Sequence, residues 1–209
     1  MALRNIVQTG DPILCKVCRP VAKFDDKLAQ LLEDMGETLI EARGLGLAGP
    51  QVGVLRRVFI ALDERDAEEE TAEDMEAAEE AGIAEELEPE EELEDEELED
   101  EEPPVILEFI NPEILSREGE VEDYEGCLSF PGRFAAIKRP EKVTVRAFDR
   151  HGTEFTLEAE GMLARCLCHE INHLDGVTIE DLAEYFYDPE NPKKLGEGTI
   201  DEEIDGDEA

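Results

Sequence analysis

Forty consecutive residues, Asp63 to Glu102, hold 25 carboxylates and a single base, Arg65, for a local charge of −24. Such a stretch cannot bury enough apolar surface to offset the entropy of ordering it, and its like charges repel one another. Any core must therefore be built from the segments on either side. The residues from Gly196 to Ala209 add seven acids and no base. Of the net −39, these two stretches carry −24 and −7, which leaves −8 for the rest. That is the balance of an ordinary soluble domain with two acidic appendages. A chain of 209 residues is long enough for one such domain. The charge excludes a nucleic-acid binder working through a broad basic face, so DNA is not an expected partner. No apolar run approaches the roughly 20 residues of a membrane span, so no membrane is expected either. The first twenty residues hold no unbroken apolar segment and read as mature protein. Five cysteines, an odd number, point to free thiols in a reducing cytoplasm rather than a disulfide framework.

The position of the acidic run is informative. Arg57-Val-Phe-Ile-Ala-Leu62 precedes it and Val105-Ile-Leu-Glu-Phe-Ile110 follows. Both are short and rich in β-branched and aromatic residues, and both read as strands. A hairpin whose turn has been replaced by a long excursion accounts for this, because each doubling of a loop costs only about 0.6 kcal/mol. A linker between two domains is the alternative, but neither flank holds enough apolar residues for a core of its own. Asp25 or Asp26 can cap a helix running to about Arg43, with Leu28, Leu31, Leu32, Met35, Leu39 and Ala42 on one face and Gly44 as its stop. Residues 118–124, 143–148 and 153–159 alternate like half-buried antiparallel strands, with Asp149 to Gly152 as a turn. Met162 to Leu174 reads as a buried helix.

That helix carries His169-Glu170-Ile171-Asn172-His173. Histidines four apart project from one face and can hold one metal ion, with the intervening glutamate beside it as a base. Two of the chain's three histidines fall at this spacing, flanked by Leu167, Ile171 and Leu174, so two surface imidazoles are the weaker reading. A third ligand is needed. Cys166 lies seven residues from His173, about 10 Å along the axis, which is too far for one ion. Cys127, in Glu125-Gly-Cys-Leu-Ser-Phe-Pro-Gly132, is the better candidate, although a small buried hydrophobe remains open for it. Gly44-Leu-Gly-Leu-Ala-Gly-Pro-Gln51 reads as a Gly-rich loop, the edge of a ligand site lined by backbone, with Gln51 offering an amide donor. Cys15-x-x-Cys18 has no second pair to complete a zinc site, and His151 sits in a turn.

Taken in order, Gly-Leu-Gly-Leu-Ala-Gly-Pro-Gln, Glu-Gly-Cys-Leu-Ser and His-Glu-Ile-Asn-His resemble the three signature segments of peptide deformylases. Thr9-Gly-Asp-Pro12, Asn111-Pro-Glu113, Arg139-Pro140 and Leu174-Asp-Gly176 support the resemblance, which spans residues 3–182 with the acidic stretch set aside. The departures are Gly49 in place of a frequent Ala, Cys168 in place of a frequent Gln, the insertion, and a tail without the basic helix of some members. The resemblance implies an α+β fold in which antiparallel strands pack around a central metal-binding helix. Residues 1–182 would be a single catalytic domain interrupted by the acidic insertion 63–104, and 183–209 an acidic, flexible tail. It implies removal of the formyl group from N-formylmethionine of newly made polypeptides, with release of formate. Cys127, His169 and His173 would hold one divalent metal, ferrous iron before zinc, nickel or cobalt. Glu170 would move the proton, Gln51 and the Leu128 N–H would meet the oxyanion, and Gly46 would pair with the peptide backbone. The expected partners are N-formylmethionyl nascent peptides and, transiently, the ribosome; a monomer is expected. Two other classes stay open on the residues alone. One is a zinc endopeptidase with Glu190 or Glu197 as a further ligand, and the other a non-catalytic acidic interaction protein.

Overall fold

The computed structural model describes residues 2–63 and 104–187. The insertion (apart from its end residues 63 and 104) and the tail beyond 187 lie outside the described residues. Among the described residues there are eight strands and three α-helices. The strands are β1 (Gly46–Ala48), β2 (Val58–Leu62), β3 (Ile106–Glu118), β4 (Val121–Glu125), β5 (Ala135–Arg139), β6 (Lys142–Phe148), β7 (Glu154–Glu160) and β8 (Tyr185–Phe186). The helices are α1 (Asp26–Glu41), α2 (Gly161–Leu174) and α3 (Ile179–Leu182), with 3₁₀ turns at Pro12–Cys15 and Gly49–Val52. One antiparallel sheet has the order β1-β2-β3-β6-β7 and a second the order β4-β5-β8. The arrangement is an α+β fold of antiparallel sheets with few helices.

The hairpin expected across the acidic run is present. Leu62 pairs with Ile106 and Val58 with Ile110, and the Asp63 N–H donates to the Val105 carbonyl at 2.9 Å. The insertion therefore leaves and rejoins the sheet at neighbouring residues. β2 is apolar on both faces because both are covered. Val58 and Ile60 pack with Leu28, Leu31, Leu32, Met35 and Leu39 of α1. Phe59 and Ala61 pack on the other side with Leu163, Ala164, Leu167 and Ile171 of α2. This alternation is what a two-sided strand requires. The opposite face of α2 is polar and meets the small sheet, where Arg165 donates to the Ile137 and Val121 carbonyls.

Several expectations are corrected. The Asp25 side chain does cap α1, accepting from the Leu28 N–H, but Ala42 is only half buried and Gly44 is not the left-handed stop. Arg43 takes that role, with φ +52. The Gly44 N–H then closes on the Leu39 carbonyl and the Arg43 N–H on Ile40, the two bonds of a Schellman turn. Gly44 is required for a different reason: a Cβ there would lie 2.7 Å from Leu128 Cδ1. Residues 118–124 are not one strand. Glu118 ends β3, the chain turns at Gly119 (φ +67), and β4 joins the other sheet. The segment 44–51 is not all loop, since 46–48 form β1. Residues 183–187 are not part of a flexible tail, because β8 pairs with β5 through Ala135–Phe186 and Ala136–Tyr185.

Candidate active site

β1 is an edge strand, so its backbone borders open space on one side. The Leu45 carbonyl accepts from Leu62 N–H on the β2 side. Since alternate residues of a strand point their polar groups to opposite sides, the Gly46 N–H and C=O face away from β2. They face a cavity of about 540 Å³ whose lining includes Arg43, Gly46, Gln51, Cys127, His169 and Glu170. Gly46 cannot be any other residue without disturbance, because a Cβ there would lie 2.6 Å from Glu170 Oε1 and 2.8 Å from Cys166 Sγ. Gly49 is equally confined, with the Val54 and Arg56 carbonyls 2.7 and 2.9 Å from its absent Cβ. An alanine at this position would collide with backbone.

The 3₁₀ turn after β1 swings Gln51 inward until it is buried. Its Oε1 accepts from the Ala48 N–H at 2.7 Å, which fixes the amide so that Nε2 donates toward Cys127 Sγ at 3.6 Å. From α2, one helical turn brings His169 and His173 together, their ring centroids 4.9 Å apart at 74°. Ligand-bearing atoms of Cys127, His169 and His173 all lie within 4.8 Å of one another, and Cys127 Sγ is 3.3 Å from His173 Nε2. Donors on a small tetrahedral ion sit about 3.5 Å apart. A thiolate with two imidazoles is a donor set for zinc or iron(II). The buried His173 Nδ1 and Glu170 Oε2 have no hydrogen-bond partner among the described residues, and the second of these is a free acceptor beside the cluster. The site fits a divalent cation.

Glu125 is the residue the sequence reading passed over. It stands two positions before Cys127, buried, and accepts from Arg139 Nε and Nη2 at 2.7 and 2.8 Å, from Arg165 Nη1 at 2.8 Å, and from His169 Nδ1 at 3.0 Å. Arg139 also donates to Asn172 Oδ1 within the His-Glu-Ile-Asn-His segment. Arg165, a lone charge in the otherwise apolar Met162-Leu-Ala-Arg-Cys-Leu-Cys168, was the available signal; Glu125 and Arg139 stand among other charged residues and gave none. Burial alone would raise the Glu125 carboxyl, but the hydrogen bonds from Arg139 and His169 outweigh it and hold the value at about 2. An ionised Glu125 makes His169 Nδ1 the donor and leaves Nε2 for the cluster.

The other groups follow from the same balance. Burial works against a charged His169, yet hydrogen bonds to Cys127 and Glu125 and the charge of Glu170 raise it to about 10. A proton held among these groups occupies the place suited to a cation. His173 is pushed well below the usual histidine range, by burial first and then by the charge on His169. Burial lifts Glu170 to about 7, which suits a group that takes and returns a proton near neutrality.

Leu128 follows Cys127 in the cavity wall. Arg133 pairs with Glu180 and lies 4.0 Å over the Phe186 ring. Cys15 is exposed, Cys18 is buried, and His151 is exposed in its turn. No helix among the described residues is long and apolar enough to cross a membrane.

A Cys–His–His triangle, half-buried at Cys127, beside a desolvated glutamate on antiparallel sheets defines a metal-dependent hydrolase of the His-Glu-x-x-His type. The family model described as polypeptide deformylase matches residues 3–185. A peptide deformylase of Caldicellulosiruptor bescii is 42% identical over 181 residues, covering 87% of this chain and 86% of that protein. The crystal structure of a peptide deformylase from Legionella pneumophila superposes with a TM-score of 0.66 at 36% identity, covering 87% of this chain and 86% of that one. The structure from Thermotoga maritima gives 0.66 at 33%, covering 88% and 99%. The chain belongs to the polypeptide deformylase family, metal-dependent enzymes that remove the N-formyl group from nascent peptides. The endopeptidase and the non-catalytic readings fall with that assignment.

Proposed function

We propose that Cys127, His169 and His173 hold the metal and that Glu170 is the proton carrier for deformylation. The observation that carries this reading is the buried Glu170 carboxylate, its Oε2 unpartnered among the described residues and its pKa raised to about 7, next to the three-donor cluster. A divalent ion bound there supplies Lewis acidity, polarising a carbonyl and making water acidic enough to attack near neutral pH. The chain's own groups do the rest. Gly46 pairs its N–H and C=O with the extended peptide and fixes the formyl group against Gln51 and Cys127. Glu170 accepts the proton of the attacking water as its oxygen bonds to the formyl carbon. Gln51 Nε2 and the Leu128 N–H donate to the oxygen that becomes negative. Glu170 then returns the proton to the departing amine nitrogen as the C–N bond breaks, and formate leaves.

Ferrous iron is the ion we assign, with zinc, nickel and cobalt able to use the same donors. We place the enzyme in the bacterial cytoplasm as a monomer consisting of one catalytic domain that the acidic insertion interrupts. The bacterial relatives and the unbridged cysteines support the setting. Contact with the ribosome is transient, because a net charge of −39 opposes RNA phosphates. Glu170→Gln tests the proposal. It keeps the shape and removes the proton acceptor, so metal content stays while kcat falls by about 10² to 10⁴. Near-normal turnover in this variant contradicts the role given to Glu170.

A further inference from the structure

The rim of the groove carries an exposed cation held at an energetic cost. Arg43 lines the cavity and is exposed, and no carboxylate among the described residues pairs with it. Arg133, on another part of the wall, is by contrast tied to Glu180. Arg43 also holds φ +52, the left-handed conformation that glycine or asparagine adopts more easily at this position of a helix stop. A strained cation at a binding groove, with no carboxylate beside it among the described residues, calls for a reason in the ligand.

The strand geometry says which part of a ligand reaches it. Ala48 and Gln51 lie at the end of β1 nearest Cys127, as the bonds from Ala48 to Gln51 and from Gln51 to Cys127 show. A peptide whose formyl group lies there, and which pairs with Gly46, continues along the edge toward Gly44 and Arg43. Arg43 is three residues before Gly46, so it lies no further than about 10 Å beyond it, the span of two or three residues of an extended peptide. The side chain two or three positions after the formylmethionine comes within its reach.

We propose that Arg43 is a specificity-determining residue that recognises a carboxylate on the peptide two or three positions after the formylmethionine. The guanidinium matches a carboxylate with two parallel N–H donors, which a lysine ammonium does not. The inference rests on the reading of this cavity as the substrate groove. The protein as a whole, at −39, repels acidic peptides at a distance. Arg43 is a local offset to that field, and its effect is therefore read as a ratio between variants.

The test compares kcat/KM of the full-length, metal-loaded enzyme on C-terminally amidated formyl-Met-Ala-Asp-Ala and formyl-Met-Ala-Lys-Ala at low salt. In Arg43→Gly, which takes φ +52 without strain and so folds, the Asp-to-Lys ratio falls about two- to fivefold, the range of an exposed ion pair. Arg43→Lys retains part of the ratio and Arg43→Glu lowers it further. High salt removes most of the difference. Formyl-Met-Ala-Ala with a free C-terminus, against its amide, shows whether a terminal carboxylate can substitute for the side chain. An unchanged Asp-to-Lys ratio in both Arg43→Gly and Arg43→Glu overturns the proposal. Failure of the wild type to release formate from the neutral formyl-Met-Ala-Ala amide overturns the groove reading itself, and the proposal with it.

Discussion

Replacing Glu125 with Gln preserves the shape of the side chain but removes the charge shared by Arg139, Arg165 and His169. The size of the effect follows from titration. A glutamate has an ordinary value of 4.5, and in the fold Glu125 is held at about 2. That gap is worth roughly 3 kcal/mol. It has the same order as the cost of leaving buried guanidinium groups without a counter-charge. The folded value is the lower one, so the contribution is complete above about pH 4.5 and is lost as pH falls toward 2. Urea unfolding of the metal-free proteins at pH 7 should therefore show Glu125→Gln less stable by about 3 kcal/mol. At pH 3 the difference should shrink to less than half of that. Metal affinity should fall by about 10- to 100-fold, because His169 loses the anionic acceptor that orients its ring and raises its basicity. Equal stability at pH 7 would refute the reasoning. A gap that does not change with pH would show that the charge is not its source.

Two further outcomes follow from the same geometry. Gly46→Ala places a Cβ 2.6 Å from Glu170 Oε1, so kcat/KM should drop at least about tenfold with metal content unchanged, and activity within twofold would show that the groove yields there. Replacing residues 64–102 by a two-residue turn should leave kcat and metal content within about threefold, because the Asp63–Val105 bond already closes the hairpin; unfolding or metal loss would make the run structural. The same deletion removes a charge of −23, which should lower kcat/KM for Lys-bearing relative to Asp-bearing peptides, less so at high salt.

The sequence is legible where a single segment decides its own structure. α1 is marked by a cap and an apolar stripe, β2 by an unbroken apolar run, and α2 by its length, its burial pattern and two histidines one turn apart. It is less legible where a partner decides. β1 has three residues, Gly-Leu-Ala, with no periodicity of its own; it is a strand because β2 is there to pair with it. β8 has two residues and exists because β5 offers an edge, so the tail was placed to begin too early. The change of sheet at Gly119 is invisible to a pattern that alternates on either side of it. The helix stop was misplaced by one residue because glycine is the expected left-handed residue, whereas here packing against Leu128 claims Gly44. In the site, the cluster-forming residues lie within recognisable motifs. Glu125 lies within one too, but its partners Arg139 and Arg165 come from β5 and α2, and only the fold brings those three charges together.

The proposed function rests on one divalent ion held by Cys127, His169 and His173. The most direct measurement is formate release from formyl-Met-Ala by anaerobically purified protein of known metal content, before chelation, after it, and after return of ferrous iron. The expected result is one ion per chain, loss of formate release on chelation, and its recovery with iron in the wild type but not in Cys127→Ala. Undiminished formate release from the metal-free protein, or full metal content and activity in Cys127→Ala, would contradict it.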